Sequence, residues 1–125
     1  MTLPDLHDGY FDGIWVSDNK DARLFVRTPG SEKLTIVLTG VEALNINDVR
    51  QGNIIFDVVV ATVESLSAQQ VCLAYGLDDQ DNSQSSKLWN QAKTKGLSAL
   101  EISTSYGAQG AALFMAGSTV TGHIL

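Results

Sequence analysis

The sequence predicts an α+β domain built on a mainly antiparallel sheet of about seven strands, curled or split into two layers. Apolar residues recur at every second position in four short segments between residues 10 and 64, which is the period of a strand with one buried face. Clusters of polar residues, Gly and Pro separate these segments, as they do in hairpins. Two stretches with helical spacing fall between the fourth and fifth strands.

The first three strands are predicted from this alternation and from the turns between them. They cover residues 10–16, 22–28 and 33–39. The polar cluster at 17–21 separates the first two strands, and Pro29 with Gly30 separates the second from the third. Pro presets φ and Gly reaches positive φ, so this pair is typical of a turn. Residues 40–51 are interpreted as a mixed connector whose apolar side chains pack beneath the sheet.

The fourth strand, at residues 54–63, is predicted to be central in the sheet. Its middle is apolar on both parities, as in a strand covered on both faces. Phe56 shares a parity with Ile54, Val58 and Val60, so it is placed in the core. We expect Phe56→Ala to cost about 3–5 kcal/mol, the range for a buried phenylalanine.

Two helices are predicted after the fourth strand. Ser67 and Gln70 have the spacing of a capping box, and Gly76 suits the left-handed residue just past a helix end. The polar stretch 78–86 is interpreted as an exposed loop, and the second helix is placed at 86–95. Strand patterning then returns at 99–106, 111–115 and 119–124.

Length, charge and cysteine content narrow the class of protein. The 125 residues match a single domain, here 1–125. The net charge of −6 disfavours binding to nucleic acid or to an anionic membrane. The single cysteine, Cys72, forms no internal disulfide and favours a reducing compartment. With no secretory pattern at residue 1 and no run of about 20 apolar residues, the expected location is the cytoplasm.

His7 is the histidine that the sequence places among carboxylates. Asp8 follows it directly, and Asp5 and Asp12 are near in the chain. A carboxylate orients an imidazole for base catalysis or for metal binding. Neighbouring residues on an extended segment point to opposite sides, however, and the other histidine, His123, lies far away in the chain. An exposed or capping histidine is therefore the favoured interpretation.

The remaining reactive residue types lack the context that their chemistry needs, so no catalytic residue, metal or cofactor is expected. Cys72 falls on the apolar side of a predicted helix, where cysteine behaves as a small hydrophobe. The aspartates at 78, 79 and 81 lack the glycine and glutamate of a calcium loop. The glycines at 107 and 110 lack the lysine of a phosphate loop.

The first two strands offer a candidate contact surface. Phe25 lies between Arg23 and Arg27, on the parity opposite to the apolar residues of its strand, and Trp15 has the same relation to Ile14. Trp15, Arg23, Phe25 and Arg27 are therefore predicted to share an outward face. Aromatic and arginine side chains are enriched at protein interfaces. The alternative is that a helix covers this face.

Four motifs in order give the chain a diffuse resemblance to small bacterial proteins without an assigned activity. They are HDG at 7–9, GVEAL at 40–44, GNIIFD at 52–57 and SYG at 105–107. Some similar small proteins act as immunity proteins beside polymorphic toxins. The resemblance implies a β-rich domain in which these motifs support turns and strand starts. The last segment of this chain departs from it by being rich in Ala and Gly, and no functional residue is carried over.

The function predicted from these observations is that of a non-catalytic protein-binding module, with an immunity-type inhibitor as one form. Its partner would be another protein or a second copy of the chain. The alternative is a small enzyme or ligand-binding protein that uses His7 and the nearby carboxylates. The two differ in structure, because an enzyme needs a pocket on which a histidine and carboxylates converge, whereas a binding module needs a flat aromatic patch.

Overall fold

The computed structural model describes residues 1–77 and 82–125, in which eight strands form one antiparallel sheet and two helices pack on it. The elements are β1 (Tyr10–Val16), β2 (Ala22–Arg27), β3 (Lys33–Thr39), β4 (Ala43–Asn47), β5 (Asn53–Ala61), α1 (Ala68–Tyr75), α2 (Asn82–Thr94), β6 (Ser98–Tyr106), β7 (Gln109–Phe114) and β8 (Ala116–Thr121). The predicted α+β class with an antiparallel sheet is confirmed. The predicted count of about seven strands falls one short.

The added strand is β4, which lies in the segment interpreted as a connector. It pairs with β7, with Ala43 opposite Leu113. Only two of its side chains, Leu44 and Ile46, pack against the main core. Two apolar positions are too few to distinguish a short strand from a connector with packed side chains. With β4 counted, the two helices follow the fifth strand of the chain instead of the fourth.

The sheet curls so that a ring of hydrogen-bonded strands passes through β3–β4 and β7–β8, while β4 and β8, the two ends of the strand order, each keep one edge without a strand partner in the described part of the chain. Its order is β4-β7-β6-β5-β1-β2-β3-β8. Only residues 40–42 separate β3 from β4, and only Met115 separates β7 from β8. Since β3 pairs with β8 and β4 with β7, these four strands form one bent ribbon. In this ribbon β3 also pairs with β2, and β7 also pairs with β6. The ribbon therefore joins the two ends of the row β6-β5-β1-β2 and completes the ring.

The main core lies inside this curl. Strands from all around the ring contribute to it, including the fully buried Leu24, Ile36, Ile55 and Leu100. The alternation predicted for the second and third strands is confirmed, because Leu24 and Val26 and the even positions 34–38 all point inward. A cluster of this size, drawn from six strands, supplies the burial that holds the curl together.

The helices form a second core on the outside of β6 and β7. Ala99, Ala111 and Leu113 face this layer, where they pack with Val71 of α1 and Ala92 of α2. Small residues on the sheet let the helices approach closely. Neither helix in the described parts of the chain has the length and apolar content that crossing a membrane requires.

The helix ends are confirmed at α1 and corrected at α2. Ser67 caps α1: its side chain accepts from the Gln70 N–H, and the Gln70 side chain accepts from the Ser67 N–H. Gly76 ends the helix at φ 68°. The second helix begins at Asn82, before the predicted start at 86. The interpretation of 82–86 as loop is therefore wrong. Polar residues also suit the first turns of a helix whose apolar side chains, such as Leu88 and Ala92, pack in its later turns. Residues 78–81 lie outside the described residues.

The placement of Phe56 in the core is wrong, because β5 is irregular at this residue. The side chain of Phe56 is 59% exposed, whereas its neighbour Ile55 is fully buried. The pairing of β5 with β6 shifts on both sides of Ile55. Such bulges reverse the inward and outward positions along a strand, so Ile54 and Phe56 point outward while Val58 and Val60 pack against the core.

Paired alanine substitutions on β5 test this assignment. We expect Ile55→Ala to lower the free energy of unfolding by about 2–5 kcal/mol, the range for a buried aliphatic side chain. We expect Phe56→Ala to cost under about 1 kcal/mol, as for other exposed positions. Urea unfolding of the two variants measures both values. A larger loss for Phe56→Ala than for Ile55→Ala would contradict the register of β5.

Candidate functional site

The described helices leave the outside of β1, β2 and most of β5 uncovered, although Ala61 at the end of β5 is buried in the helix layer. α1 packs on β7, β4 and β6, on the opposite side of the curl. The outward side chains of β1 and β2 are joined by those of β5 and of the end of β6, since directly paired residues share a face. We call this surface the outer face, and its main residues are Tyr10, Trp15, Arg23, Phe25, Arg27, Ile54 and Tyr106.

Two arginines of β2 lie over aromatic rings of β1. Trp15 is paired with Arg23, whose guanidinium is 5.2 Å from the centre of the indole ring. Tyr10 is paired with Arg27, whose guanidinium is 4.4 Å from the phenol ring. Phe25 lies between the two arginines, opposite Gly13. The structure therefore brings together all the residues predicted for this face.

A bulge in β1 places both aromatic residues on the same face. The pairing with β2 shifts between Phe11 and Gly13. Phe11 and Ile14 consequently both point to the core, although their parities differ. Tyr10 and Trp15 both point outward for the same reason, because each is paired with an outward arginine of β2. Strict alternation would have assigned Tyr10 to the core.

The row continues across β5 to β6. Tyr10 is paired with Ile54, and Ile54 with Tyr106. Ile54 is 40% exposed and Tyr106 66% exposed. The guanidinium of Arg50 lies 4.6 Å from the centre of the Tyr106 ring and ends the row as Arg27 does at the other side. Apolar, aromatic and arginine side chains thus form one continuous surface over four strands.

Asp12 fixes Arg27 over the Tyr10 ring. Both carboxylate oxygens of Asp12 accept hydrogen bonds from Arg27, at 2.7 Å from Nε and 2.9 Å from Nη2. This hydrogen bond is the main reason why the pKa of Arg27 is raised. His123 Nε2 is 3.5 Å from the same carboxylate and 3.0 Å from the carbonyl oxygen of Val26. A fork-shaped contact of this kind holds the guanidinium in one orientation over the Tyr10 ring.

Residues 122–125 cross the outside of β2 and β3. The sequence left open whether a helix covers this face, and the structure shows this segment there instead of either described helix. Thr35 Oγ1 donates to the Gly122 carbonyl at 2.7 Å and accepts from the Ile124 N–H at 2.9 Å. The His123 ring packs 5.5 Å from that of Phe25, and Arg23 donates to the Ile124 carbonyl at 3.1 Å. Phe25 is half-buried by this segment, while Trp15 stays 38% exposed.

A buried asparagine supports the Tyr106 end of the face. Asn53 is fully buried, and its Oδ1 accepts from the Arg50 N–H at 2.9 Å and from the Ala108 N–H at 3.0 Å. Its Nδ2 donates to the carbonyls of Phe11, at 3.1 Å, and of Arg50. One side chain thus ties β1, the loop before β5 and the turn after Tyr106 together.

His7 is exposed and has two carboxylates close to it. Its backbone N–H donates to Asp5 Oδ1 at 3.0 Å. Its Nδ1 donates to the Phe56 carbonyl at 2.7 Å, and its Nε2 is 3.7 Å from Asp8 Oδ2. The hydrogen bond to Phe56, and then the charge of Asp8, raise the pKa of His7 above the usual 6.5. The contact thus stabilises the fold below the unfolded-state pKa, and this contribution is lost as pH rises through the folded-state pKa.

Neither histidine lines any of four cavities in the described part of the chain. Four surface cavities have volumes between about 130 and 430 Å³, and neither His7 nor His123 lines any of these four. Within residues 1–77 and 82–125, no group of three or more His, Cys, Asp or Glu is arranged to hold a metal ion. Cys72 is buried in the helix layer, and the aspartates at 78, 79 and 81 lie outside the described residues.

Sequence reasoning found one half of the outer face and missed the other. Alternation within single strands was enough to predict four residues: Trp15, Arg23, Phe25 and Arg27. The other three belong to the face only because of which strands are neighbours: Tyr10, Ile54 and Tyr106. The local signal that was available is Gly13, because a glycine inside a strand pattern suggests a bulge. A bulge there reverses the parity of everything before it.

The chain matches no protein-family model, no curated protein and no solved structure. The case for a function rests on the geometry and chemistry of the residues above.

Proposed function

We propose that the chain is a non-catalytic protein-binding module that contacts its partner through the outer face. The observation that carries this proposal is the continuous row of aromatic, apolar and arginine side chains across four strands, on the side of the sheet that the helices leave open. Tryptophan, tyrosine and arginine are the residues that supply most binding energy at protein interfaces. A cavity of about 430 Å³, lined in part by Asp12 and Arg50, lies beside this row. The exposed row extends well beyond the cavity, and such an extended surface suits a folded partner better than a small ligand, which requires a concave site.

The fixed arginines favour a binding role over a purely solvated surface. Arg27 is held by Asp12 and lies over Tyr10, and Arg23 lies over Trp15 while donating to the carbonyl of Ile124. A long side chain that is already ordered loses less conformational entropy when a partner binds. The outer face is therefore organised before binding, which is the condition under which a modest area gives useful affinity.

The other classes of partner and the enzymatic alternative have less support. A net charge of −6 disfavours nucleic acid and anionic membranes. His7 is exposed, one of its ring nitrogens is bonded to a backbone carbonyl, and the other is 3.7 Å from the Asp8 carboxylate. General acid–base chemistry needs a histidine within reach of a bound substrate, and none of the four cavities offers His7 such a place.

An immunity-type inhibitor is the more specific form of this proposal. Such a protein neutralises a toxin by covering its surface, so it needs a rigid contact face and no catalytic group. The outer face has these properties, and a partner with acidic and apolar groups would complement Arg23, Arg27 and Arg50. The partner would then be encoded near this chain, which defines the proteins to be tested first.

Two outer-face substitutions test the proposal. We expect Trp15→Ala with Phe25→Ala to weaken partner binding by a hundredfold or more, because each interface aromatic contributes about 2 kcal/mol or more. Isothermal titration calorimetry measures this with the purified products of neighbouring genes and with any purified protein that the wild-type chain captures. Tyr75→Ala is the matched control, since Tyr75 on α1 is 40% exposed and Trp15 38% exposed.

The thermal midpoint separates a binding defect from a folding defect. The Tyr75→Ala control should melt within a few degrees of the wild type, because an exposed position contributes little to stability. The double variant should melt somewhat lower, because Phe25 is half-buried against His123, but it should unfold in one cooperative transition well above the temperature of the titration. Binding that is equally strong in the double variant and in the Tyr75→Ala control would show that the outer face is not the contact surface. A partner whose affinity depends on His7 and is indifferent to Trp15 would favour the alternative function.

A further inference from the structure

β8 is a strand with one unpaired edge. Among the described strands it pairs only with β3, from Leu34 opposite Thr121 to Thr39 opposite Ala116. The other end of the strand order, β4, has its free side packed by α1, where Asn45 Nδ2 donates to the Leu73 carbonyl at 3.0 Å. An uncovered strand edge presents backbone N–H and C=O groups ready to pair with another strand.

The outward backbone groups of β8 follow from the ladder that it forms with β3. The Gly122 N–H donates to the Lys33 carbonyl at 2.8 Å, which marks that pair as hydrogen-bonded. Hydrogen-bonded and non-hydrogen-bonded pairs alternate in an antiparallel ladder. The backbone groups of Gly117, Thr119 and Thr121 therefore point away from β3, and none of them receives a hydrogen bond from the described part of the chain.

The edge lacks the features with which proteins prevent strand pairing. No Asp, Glu, Lys or Arg occurs after Glu101, and no Pro occurs in β8. Natural edges usually carry a charge, a proline or a bulge. Two copies that each carry a net charge of −6 repel one another over most of their surfaces. Pairing between two β8 strands brings no charged side chains of these strands together.

The outward groups are arranged symmetrically about Thr119. If two copies of β8 run antiparallel with Thr119 opposite its counterpart, Gly117 of one copy lies opposite Thr121 of the other. In this register every outward N–H faces an outward C=O of the second copy. A two-fold axis through Thr119 uses the same patch on both copies, so the contact is closed and leaves no free edge for a third.

The surroundings of the edge provide both access and apolar surface. A cavity of about 300 Å³, whose lining includes Met1, Met115 and Gly117, lies beside the start of β8. Met1 is 42% exposed, Met115 54% and Val120 39%. The chain then turns at Gly122 onto the outside of β3, so the last residues do not cover the edge.

We propose that the chain forms a two-fold homodimer in which the β8 strands of two copies pair antiparallel about Thr119. This extends the sheet across the two copies. The dimer contact is separate from the outer face, so each copy retains its own partner-binding surface. The proposal is thus independent of the function proposed above.

A concentration series with two substitutions at Thr119 tests the dimer. Sedimentation of the wild type should give a mass that rises with concentration from 13.4 kDa towards twice that value. Thr119→Pro removes an outward N–H and leaves the ladder with β3 intact, and Thr119→Lys places two like charges opposite each other. We expect both variants to sediment as monomers at every concentration, with Gln109→Lys, an exposed β7 position, behaving as the wild type.

Amide hydrogen exchange locates the contact within the strand. The amides of Gly117, Thr119 and Thr121 should exchange faster on dilution, while that of Val120, which faces β3, should not. Monomeric wild type at all concentrations, a dimer that survives both Thr119 substitutions, or growth beyond a dimer would each overturn the proposal. Trp15→Ala with Phe25→Ala should leave the dimer intact, so failure of one proposal is distinguishable from failure of the other.

Discussion

Replacing Gly110 with alanine is expected to be among the most damaging single changes in the protein, with a loss of about 3 kcal/mol or more. Gly110 lies in β7 opposite Ile46 of β4. An added Cβ would overlap the carbonyl oxygen of Asn45 and would stand 2.7 Å from the Ile46 Cα. These are backbone atoms of a paired strand, so no side-chain rotation relieves the overlap, and the cost exceeds that of ordinary overpacking, about 1–3 kcal/mol.

Gly13→Ala is the matched control for this substitution. Gly13 is also a strand glycine, but a Cβ there would meet only the Phe25 ring, at 3.9 Å. We expect Gly13→Ala to change the free energy of unfolding by under about 1 kcal/mol, since alanine costs less conformational entropy than glycine in a strand. Urea unfolding compares the two variants. Equal stabilities would mean that β4 does not approach β7 as described.

Replacing Asn53 with alanine is expected to cost about 3 kcal/mol. The change leaves the N–H groups of Arg50 and Ala108 and the carbonyl of Phe11 without their side-chain partner. A buried polar group that loses its partner costs about 1–3 kcal/mol, and several are affected together here. Asn53→Asp keeps the accepting oxygen but loses the donating nitrogen and buries a charge, so we expect it to be destabilised as well.

Asn45→Ala is the control for Asn53→Ala. It shows how much stability is lost when an asparagine with fewer hydrogen bonds is removed. Within residues 1–77 and 82–125, Asn45 makes one side-chain hydrogen bond, from Nδ2 to the Leu73 carbonyl, and it is half-buried. Its loss should cost about 1 kcal/mol. Denaturant unfolding with an unchanged m-value gives both energies. If Asn53→Ala costs no more than Asn45→Ala, the buried asparagine does not hold the loop before β5 in place.

The regular parts of the fold were predictable because their signals are local. Leu24 and Ile36 point inward as alternation requires, and Ser67 caps α1 as the spacing to Gln70 indicates. The errors fall where a strand is irregular. Phe56 was assigned to the core because the bulges in β5 depend on its pairing with β6, and no residue type announces them in the sequence.

The extent of the candidate site could not be predicted for a related reason. Trp15 and Phe25 follow from the pattern of their own strands. The contribution of Tyr106 depends on the chain of pairings through Ile54 and Tyr10, and the covering of Phe25 by His123 depends on a contact between distant parts of the chain. Such proximity follows from the topology of the whole sheet, which local periodicity does not specify.

The bent ribbon also bears on the order of folding, because the ring of strands is complete only when β3 pairs with β8. β1, β2 and β3 are joined by short turns and can pair soon after collapse. The ribbon instead requires Thr39 to find Ala116, which lies far along the chain. Because the entropy of closing so long a loop is lost before the contacts are gained, we expect this docking to be the slow step. Until it occurs, we expect the free edge of β3 to be the aggregation-sensitive part of the folding chain.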